Sequence, residues 1–173
     1  MKLLKEETAY NGYYKLKKLT FDFEGETITR ELFDRGNGTA ALVFDTVRQE
    51  YVLVKQFRIG AMEDLLEVVA GSVQGGRKEA EEIIEKEIEE EIGYAVDKLT
   101  FIQEFYPSPG ACSEIIYLFY AEVSRQTSSG GGLEEEHENI EVVYVPKKEL
   151  KFSEIHDAKT LIALMWAQQQ EQL

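Results

Sequence analysis

Residues 79–91 combine a high density of glutamate with the apolar spacing of a helix. Eight of these thirteen residues are glutamate, and the alanine, isoleucine and lysine among the rest also favour a helix. At about 100° per residue, an arc of roughly 140° contains Ala80, Ile83, Ile84 and Ile88. This stripe predicts a helix that packs one side against a hydrophobic core.

Two of the glutamates, Glu87 and Glu91, lie inside the apolar arc, one turn apart. A carboxylate held against a core costs several kcal/mol unless it is paired with a cation or bound to a metal. Few cations are available in this stretch, so a divalent metal ion is the simplest way to keep both charges there. The alternative is an amphipathic helix whose glutamates only face solvent, and it leaves Glu87 and Glu91 unexplained.

The flanking residues set this helix in a specific context. An apolar, strand-like segment from Leu65 to Gly71 precedes it, and residues 72–78 form a short connecting loop. Gly93 follows the run, and glycine commonly ends helices in the left-handed conformation. The order of strand, glycine loop, acidic helix and glycine resembles the Nudix box of the Nudix hydrolases.

The second half of that box is intact here. The family pattern is a Gly, a Glu, and then Arg-Glu-apolar-any-Glu-Glu-any-Gly, and residues 86–93 read Lys-Glu-Ile-Glu-Glu-Glu-Ile-Gly. Lys86 replaces the arginine, which keeps the charge but not the planar fork. The spacing from Gly71 to Lys86 is one residue longer than usual, so Glu79 is the best match for the first glutamate.

Length and composition limit the other possibilities. A chain of 173 residues with 43% hydrophobic residues predicts a single folded domain with a sizeable core. The net charge of -14 argues against a nucleic-acid or anionic-membrane partner. A lone cysteine, Cys112, excludes an internal disulfide, and neither a signal peptide nor a membrane-spanning run is apparent. We therefore expect a cytoplasmic protein.

The order of elements predicts a mixed sheet. Two strands, Tyr13–Phe23 and Thr27–Phe33, form a hairpin, and a second pair covers residues 40–47 and 51–57. Further strands follow the acidic helix at residues 99–106, 115–123 and 140–145, and a last helix covers residues 157–170. Residues 124–132 are polar and Gly-rich, which predicts a mobile loop. Mixed strands with few helices favour an α/β (α+β) fold with helices on both sheet faces.

The similarity to the Nudix hydrolases extends beyond the box, over residues 13–159. It points to the nucleoside-diphosphate-sugar branch, with the GDP-mannose pyrophosphatase type first and the ADP-ribose pyrophosphatases as near relatives. The segments that carry it are residues 34–38, 56–58, 67–71, 108–110, 130–134 and 157–160. The resemblance implies an α/β/α sandwich with an N-terminal antiparallel β extension: residues 1–36 as a hairpin exchanged in a dimer, and residues 37–173 as the hydrolase domain.

The resemblance also implies a metal site. It points to the Ala70 carbonyl and to the carboxylates of Glu87 and Glu91 as ligands of Mg²⁺, with Mn²⁺ as a substitute. Glu138 matches the last ligand, from the late acidic loop. A catalytic base from the same loop is Glu136 or Glu138, because the loop is two residues longer than in the GDP-mannose relatives, and Glu90 matches a further acid of the box that would assist.

Substrate contacts follow from the same resemblance. Arg58 matches a phosphate-contacting arginine, and Glu114 and Lys159 match further substrate contacts. Three N-terminal residues match positions that reach the partner subunit's substrate in the family's homodimer: Tyr13, Arg30 and Glu31.

The implied activity is hydrolysis of a nucleoside diphosphate sugar at its pyrophosphate bond. GDP-mannose, giving GMP and mannose 1-phosphate, is the first expectation, and ADP-ribose, giving AMP and ribose 5-phosphate, is the alternative. A protein that binds a nucleotide sugar without cleaving it, and an acidic interaction protein without metal dependence, stay open as other classes.

Overall fold

A computed structural model describes residues 1–132 and 140–170 of the chain. Within these residues it contains ten strands, two α-helices, a π-helical turn and a 3-10 turn. The strands are β1 (Lys2–Asn11), β2 (Lys15–Phe23), β3 (Glu26–Asp34), β4 (Asn37–Asp45), β5 (Glu50–Arg58), β6 (Glu63–Glu67), β7 (Val69–Val73), β8 (Tyr94–Phe105), β9 (Ile116–Gln126) and β10 (Glu141–Pro146). The helices are α1 (Arg77–Glu87) and α2 (Ala158–Gln170), with the π turn at Ile88–Ile92 and the 3-10 turn at Phe152–Glu154.

The central sheet has seven strands. Its main order is β10-β5-β4-β9-β8, while β6 pairs with β5 and β7 pairs with β4. The pairing is antiparallel except between β4 and β9, where Gly38 lies opposite Ile116 and Asp45 opposite Val123. Eight consecutive residues of β4, from Gly38 to Asp45, are buried, because this central strand is covered on both faces.

Each face of the sheet carries one helix. Ala41 and Val43 of β4 share a core cluster with Ala80 and Ile84 of α1. The alternate residues of the same strand, including Leu42, belong to the cluster that contains Ala163, Leu164 and Ala167 of α2. The period of two along β4 therefore sends neighbouring side chains to opposite helices. This arrangement confirms the predicted α/β/α sandwich.

The N-terminal extension is a separate three-stranded antiparallel sheet in the order β1-β2-β3. Its β2–β3 hairpin turns at Glu24 and Gly25, which both have positive φ, and confirms the predicted hairpin. Strand β1 was not predicted, and every residue in it is exposed. The backbone of Phe33 joins this sheet to the rest of the chain through hydrogen bonds with Ala111 and Ser113.

The acidic run forms the predicted helix with one irregularity. Helix α1 begins at Arg77, two residues earlier than the acidic run, and passes into the π turn after Glu87. The helix ends at Gly93, whose φ of 74° is left-handed, as the sequence indicates. None of the helices among residues 1–132 and 140–170 is long and apolar enough to cross a membrane.

Candidate active site

Helix α1 and the π turn that follows it are together called the box helix. The two glutamates of the apolar arc, Glu87 and Glu91, lie on its inner side. Glu91 is buried, with only 4% of its surface exposed, and the neighbouring Ile88 and Ile92 are fully buried. Glu87 is half-buried one turn earlier, whereas Glu90 is exposed. The helical arc therefore correctly separates Glu87 and Glu91 from the solvent-facing acids, and Glu90 is one of the exposed residues.

The carboxyl group of Glu87 lies against the backbone of Gly71 in β7. A Cβ atom on Gly71 would collide with the Glu87 carboxyl and Cγ. The glycine is therefore needed for close approach of the helix to the strand, and not for an unusual φ. Ala70, whose carbonyl is a predicted ligand, precedes Gly71 in the same strand and pairs with Ala40 of β4.

The Gly-rich segment after β9 contacts the end of the box helix. The N–H of Gly131 donates to the carbonyl of Glu91 at 2.7 Å, and the N–H of Gly132 donates to that of Glu90 at 3.3 Å. Gly130 has a φ of 66° and lies so close that a Cβ would clash with the carbonyl of Glu91. These contacts satisfy carbonyls that a helix end leaves without partners.

The acidic segment that follows lies outside the described residues. It contains Glu136 and Glu138, so their predicted roles as base and metal ligand stay predictions.

A second group of charges surrounds Glu67, the last residue of β6. Arg58 donates to both of its carboxylate oxygens, from Nε at 2.8 Å and from Nη2 at 2.7 Å. Lys159 of α2 donates from Nζ to Oε2 at 2.7 Å. Burial alone would raise the pKa of Glu67, but the hydrogen bond from Arg58 and the charge of Lys159 outweigh it and hold the pKa below its usual value.

The N-terminus of α2 extends this group. Asp157 accepts hydrogen bonds from Lys159 Nζ at 2.8 Å and from the backbone N–H of Thr160 at 2.9 Å, the latter as an N-cap. The Thr160 hydroxyl donates to Asp157 at 2.6 Å and accepts from the N–H of Val68 at 2.9 Å. Val68, next to Glu67, and Thr160, next to Lys159, are therefore joined by a hydrogen bond, which fixes the end of β6 against the first turn of α2.

Glu114 forms the third part of the site. It is 7% exposed, and Arg35 donates from Nη1 to its Oε1 at 3.0 Å and to its Oε2 at 3.2 Å. Burial raises the pKa of Glu114 more than the charges of Arg35 and Lys159 lower it, so the net shift is upward. Arg35 also lies over the ring of Tyr14 at 5.6 Å, which connects this carboxylate to the N-terminal sheet.

Electrostatic interactions link the three parts. The hydrogen bond with Glu67 raises the pKa of Arg58, burial opposes this, and the charge of Glu91 is among those that add to the rise. The charge of Lys159 lowers the pKa of Glu114. The structure therefore brings Arg58 and Lys159 together on Glu67 and places Glu91 and Glu114 within range of their charges.

The three N-terminal candidates lie elsewhere. Tyr13 is 92% exposed and contacts Tyr14 edge to face, and Arg30 and Glu31 are exposed on β3, opposite Leu19 and Lys18. Within the described part of one chain, no hydrogen bond or ion pair joins them to Glu67, Glu87 or Glu91.

Glu67, Asp157 and Arg35 were not predicted as site residues. A signal exists for Glu67, because it is the one charged residue in the apolar run from Leu65 to Gly71, and a charge in such a run needs a partner. Arg35 and Asp157 lie in the segments 34–38 and 157–160 that carry the resemblance, but nothing within those segments singles out these two residues.

The carboxylates of Glu87 and Glu91 suit a hard divalent cation, but the described residues do not supply all the ligands of a metal site. Among residues 1–132 and 140–170, no group of three or more His, Cys, Asp or Glu side chains is arranged to hold a metal ion. Glu87 and Glu91 supply carboxylate oxygens, the ligand type that Mg²⁺ prefers. The missing ligands would come from a backbone carbonyl such as that of Ala70, from water, or from residues 133–139.

Comparisons with known proteins agree with this geometry. The NUDIX domain profile matches residues 34–165. The GDP-mannose pyrophosphatase of Enterobacter sp. (strain 638) is 34% identical over 97% of this chain and 95% of its own. The GDP-mannose pyrophosphatase of Escherichia coli (strain K12) is 36% identical over 96% and 94%.

Among solved structures, the crystal structure of an ADP compounds hydrolase superposes with a TM-score of 0.79 at 20% identity, covering 99% of this chain and 95% of the other. At 20% identity this similarity shows the fold alone. Because the domain profile covers more than half of the sequence and relatives exceed 30% identity over nearly all of it, the chain belongs to the Nudix family of hydrolases.

Proposed function

We propose that this protein hydrolyses the pyrophosphate bond of a nucleoside diphosphate sugar in a reaction that depends on Mg²⁺. GDP-mannose is the first candidate, and water would split it into GMP and mannose 1-phosphate. Relatives at 34–36% identity over almost the whole chain carry the name GDP-mannose pyrophosphatase, which favours this substrate over ADP-ribose.

One observation carries the proposal. Glu91 is 4% exposed inside the helical stripe, and Glu87, one turn away, has its carboxyl against Gly71. Two carboxylates held on the core side of a helix are costly unless a cation shares the site. A pyrophosphatase needs such a cation, because negative charge builds on the phosphate oxygens during the reaction.

Glu87, Glu91 and the carbonyl of Ala70 would hold the metal, with Glu138 as a further ligand and Mn²⁺ as a substitute for Mg²⁺. When bound, the metal would lower the pKa of a water molecule and stabilise the developing charge. A carboxylate of the acidic loop, Glu136 or Glu138, would accept the proton of the attacking water, and Glu90 would assist.

The protein's own cations would orient the substrate. Arg58 and Lys159 are N–H donors that keep 39% and 17% of their side chains exposed beside the buried Glu67. The guanidinium carries five N–H donors, and Nε and Nη2 of Arg58 bond Glu67, so the N–H groups of Nη1 are the ones that would donate to phosphate oxygens. Glu114 would accept a hydrogen bond from a hydroxyl or amide group of the substrate, with Arg35 holding its carboxylate through contacts at 3.0 and 3.2 Å.

We propose in addition that the active protein is a homodimer in which residues 1–36 reach the partner's substrate site. Strand β1 is exposed along its whole length, and the sheet leaves Leu3, Leu4 and Tyr13 exposed. A three-stranded sheet with apolar side chains open to water favours association with another copy. Tyr13, Arg30 and Glu31 would then contact the partner's substrate.

The function is tested with a panel of nucleoside diphosphate sugars that includes GDP-mannose and ADP-ribose, each with and without Mg²⁺. We expect GDP-mannose to be cleaved fastest, and only with the metal. Cleavage of another member alone would overturn the choice of sugar and base. Tight binding without cleavage indicates a sensor, and turnover without a divalent ion contradicts the proposed metal site.

The shared site is tested by complementation between an Arg30→Ala chain and a Glu91→Gln chain. Under conditions that allow exchange of subunits, the mixed dimer keeps one site with both residues intact. We expect recovered activity. A monomer by light scattering, or no recovery after exchange has been verified, refutes the shared site.

A further inference from the structure

The proposed substrate cations are held by a carboxylate that would have no part in the chemistry. Glu67 is 2% exposed and accepts three short hydrogen bonds, two from Arg58 and one from Lys159. Arg58 ends β5, and Lys159 lies in the first turn of α2, 101 residues later in the sequence. Glu67 is therefore the point at which two distant parts of the chain meet.

The geometry leaves the outer sides of both cations available. Nε and Nη2 of Arg58 face Glu67, so the plane of the guanidinium is fixed while 39% of the side chain stays exposed. Lys159 is held by Glu67 and by Asp157, at 2.7 and 2.8 Å. Long, flexible side chains lose much of their conformational freedom in this way before any ligand arrives.

The charges of this group cancel. Arg58 and Lys159 contribute two positive charges, and Glu67 and Asp157 contribute two negative ones. The group is therefore no general trap for anions, and its value to a ligand lies in the fixed position of its N–H donors. A buried ion pair is also a weak source of stability compared with apolar packing, so stability alone does not account for it.

We propose that Glu67 is a positioning residue that holds Arg58 and Lys159 as one preorganised pair of donors for the diphosphate of the substrate. This inference rests on the proposed function. Glu67 acts through the two cations and does not touch the substrate. A glutamine at position 67 keeps the shape but turns an N–H group towards one of the donors, so it cannot satisfy both.

The test is one mutant cycle in which Arg58 and Lys159 are removed together as a unit. Glu67→Gln is measured alone and in the background of Arg58→Ala with Lys159→Ala, using kcat and KM for the substrate that wild type cleaves best. We expect Glu67→Gln to lower kcat/KM by about 100-fold in the wild-type background, the scale of a small misplacement of binding groups. In the background that lacks both cations, it should have almost no further effect, because groups that act as a unit are not additive.

A structural role predicts a different result. Equal losses in both backgrounds would overturn the inference, as would a crystal structure of Glu67→Gln with both cations unmoved and kcat/KM lowered. Asp45→Asn is the matched control. Asp45, the last residue of β4, is also a buried carboxylate, 1% exposed, and it accepts a hydrogen bond from the Tyr94 hydroxyl instead of from Arg58 or Lys159. It should leave kcat/KM near the wild-type value.

Two further measurements keep the test decisive. If Glu67→Gln does not fold, Arg58→Lys takes its place, because lysine keeps the charge but cannot form the fork with Glu67. A variant with wild-type kcat/KM would then overturn the inference. Absence of wild-type turnover on the whole panel overturns the proposed function, whereas wild-type turnover with an unaffected Glu67→Gln variant overturns this inference alone.

Discussion

The carboxyl group of Glu87 occupies the space that any side chain on Gly71 would fill. Gly71 pairs with Thr39 inside the central sheet, so the strand cannot retreat without disturbing β4. The helix therefore approaches the sheet through a gap that a single missing side chain provides. This contact gives a direct way to move a predicted metal ligand without changing it.

We predict that Gly71→Ala weakens activation by Mg²⁺ about 10- to 100-fold, the range seen when a neighbour that orients a metal ligand is lost. The measurement is turnover as a function of Mg²⁺ concentration. Gly76→Ala, five residues later at the start of α1, is the control, because a Cβ there meets open space and its φ of -98° suits alanine. The same Mg²⁺ dependence of turnover in Gly71→Ala and Gly76→Ala would contradict the conclusion that the space at Gly71 positions Glu87.

The helix and its two inward acids were predictable because they depend only on local periodicity. The stripe of Ala80, Ile84 and Ile88, the inward glutamates and the stop at Gly93 all follow from about 3.6 residues per turn. The π turn after Glu87 was not predictable, since nothing in its composition separates it from an ordinary helix.

Contacts between distant residues were largely invisible in the sequence. Glu67 stands out as a charge in an apolar run, but its partner Lys159 lies 92 residues away and α2 brings it there. Strand β1 escaped detection because its residues are all exposed and show no alternation. The Gly-rich composition likewise gave no sign that the N–H of Gly131 bonds the carbonyl of Glu91.

Glu91→Gln should retain the fold and lower turnover by roughly two or more orders of magnitude, the scale expected for losing a main electrostatic element. The amide is nearly the same size but carries no charge for a metal. Glu89→Gln, on the exposed side of the same turn, is the control and should behave as wild type. Near-normal kcat in the Glu91 variant would remove this residue from the site.

Melting in the presence of Mg²⁺ tests the metal site without a substrate. An ion that binds only the folded state adds about 2.7 kcal/mol at a hundredfold excess over its Kd, so the Tm of wild type should rise with Mg²⁺. The rise should disappear in Glu87→Gln/Glu91→Gln. The same rise in this double variant would place the bound ion elsewhere.

Gly130→Ala should reduce both stability and turnover. Its φ of 66° is unfavourable for alanine, and the new Cβ would push against the carbonyl of Glu91 and the backbone of Ile92. Gly25→Ala separates the two effects, because Gly25 also has a positive φ, of 88°, but open space around it. We expect Gly25→Ala to lower the free energy of unfolding by about 1 kcal/mol and to leave kcat normal. If kcat falls only in Gly130→Ala, the loss comes from displacement of the box helix.

Glu114 should make the protein less stable as the pH rises above about 4.5. Burial raises its pKa in the folded state despite Arg35 and Lys159, so the folded state holds this proton more tightly than the unfolded state. Where the folded state binds more protons, the free energy of unfolding falls as the pH rises. That loss runs from the ordinary value of 4.5 up to the raised pKa and is complete above it.

Glu114→Gln cannot ionise, so its stability relative to wild type should increase as the pH is raised from 4 to 7. The difference in free energy of unfolding between the two proteins, measured by denaturant titration at each pH, isolates this one group from the other acids that titrate in both. The Arg35 ion pair forms only with ionised Glu114, so its contribution is already contained in the pKa of Glu114 and therefore in the slope of this difference. A relative stability that decreases with pH would mean that Arg35, and not burial, dominates the pKa of Glu114.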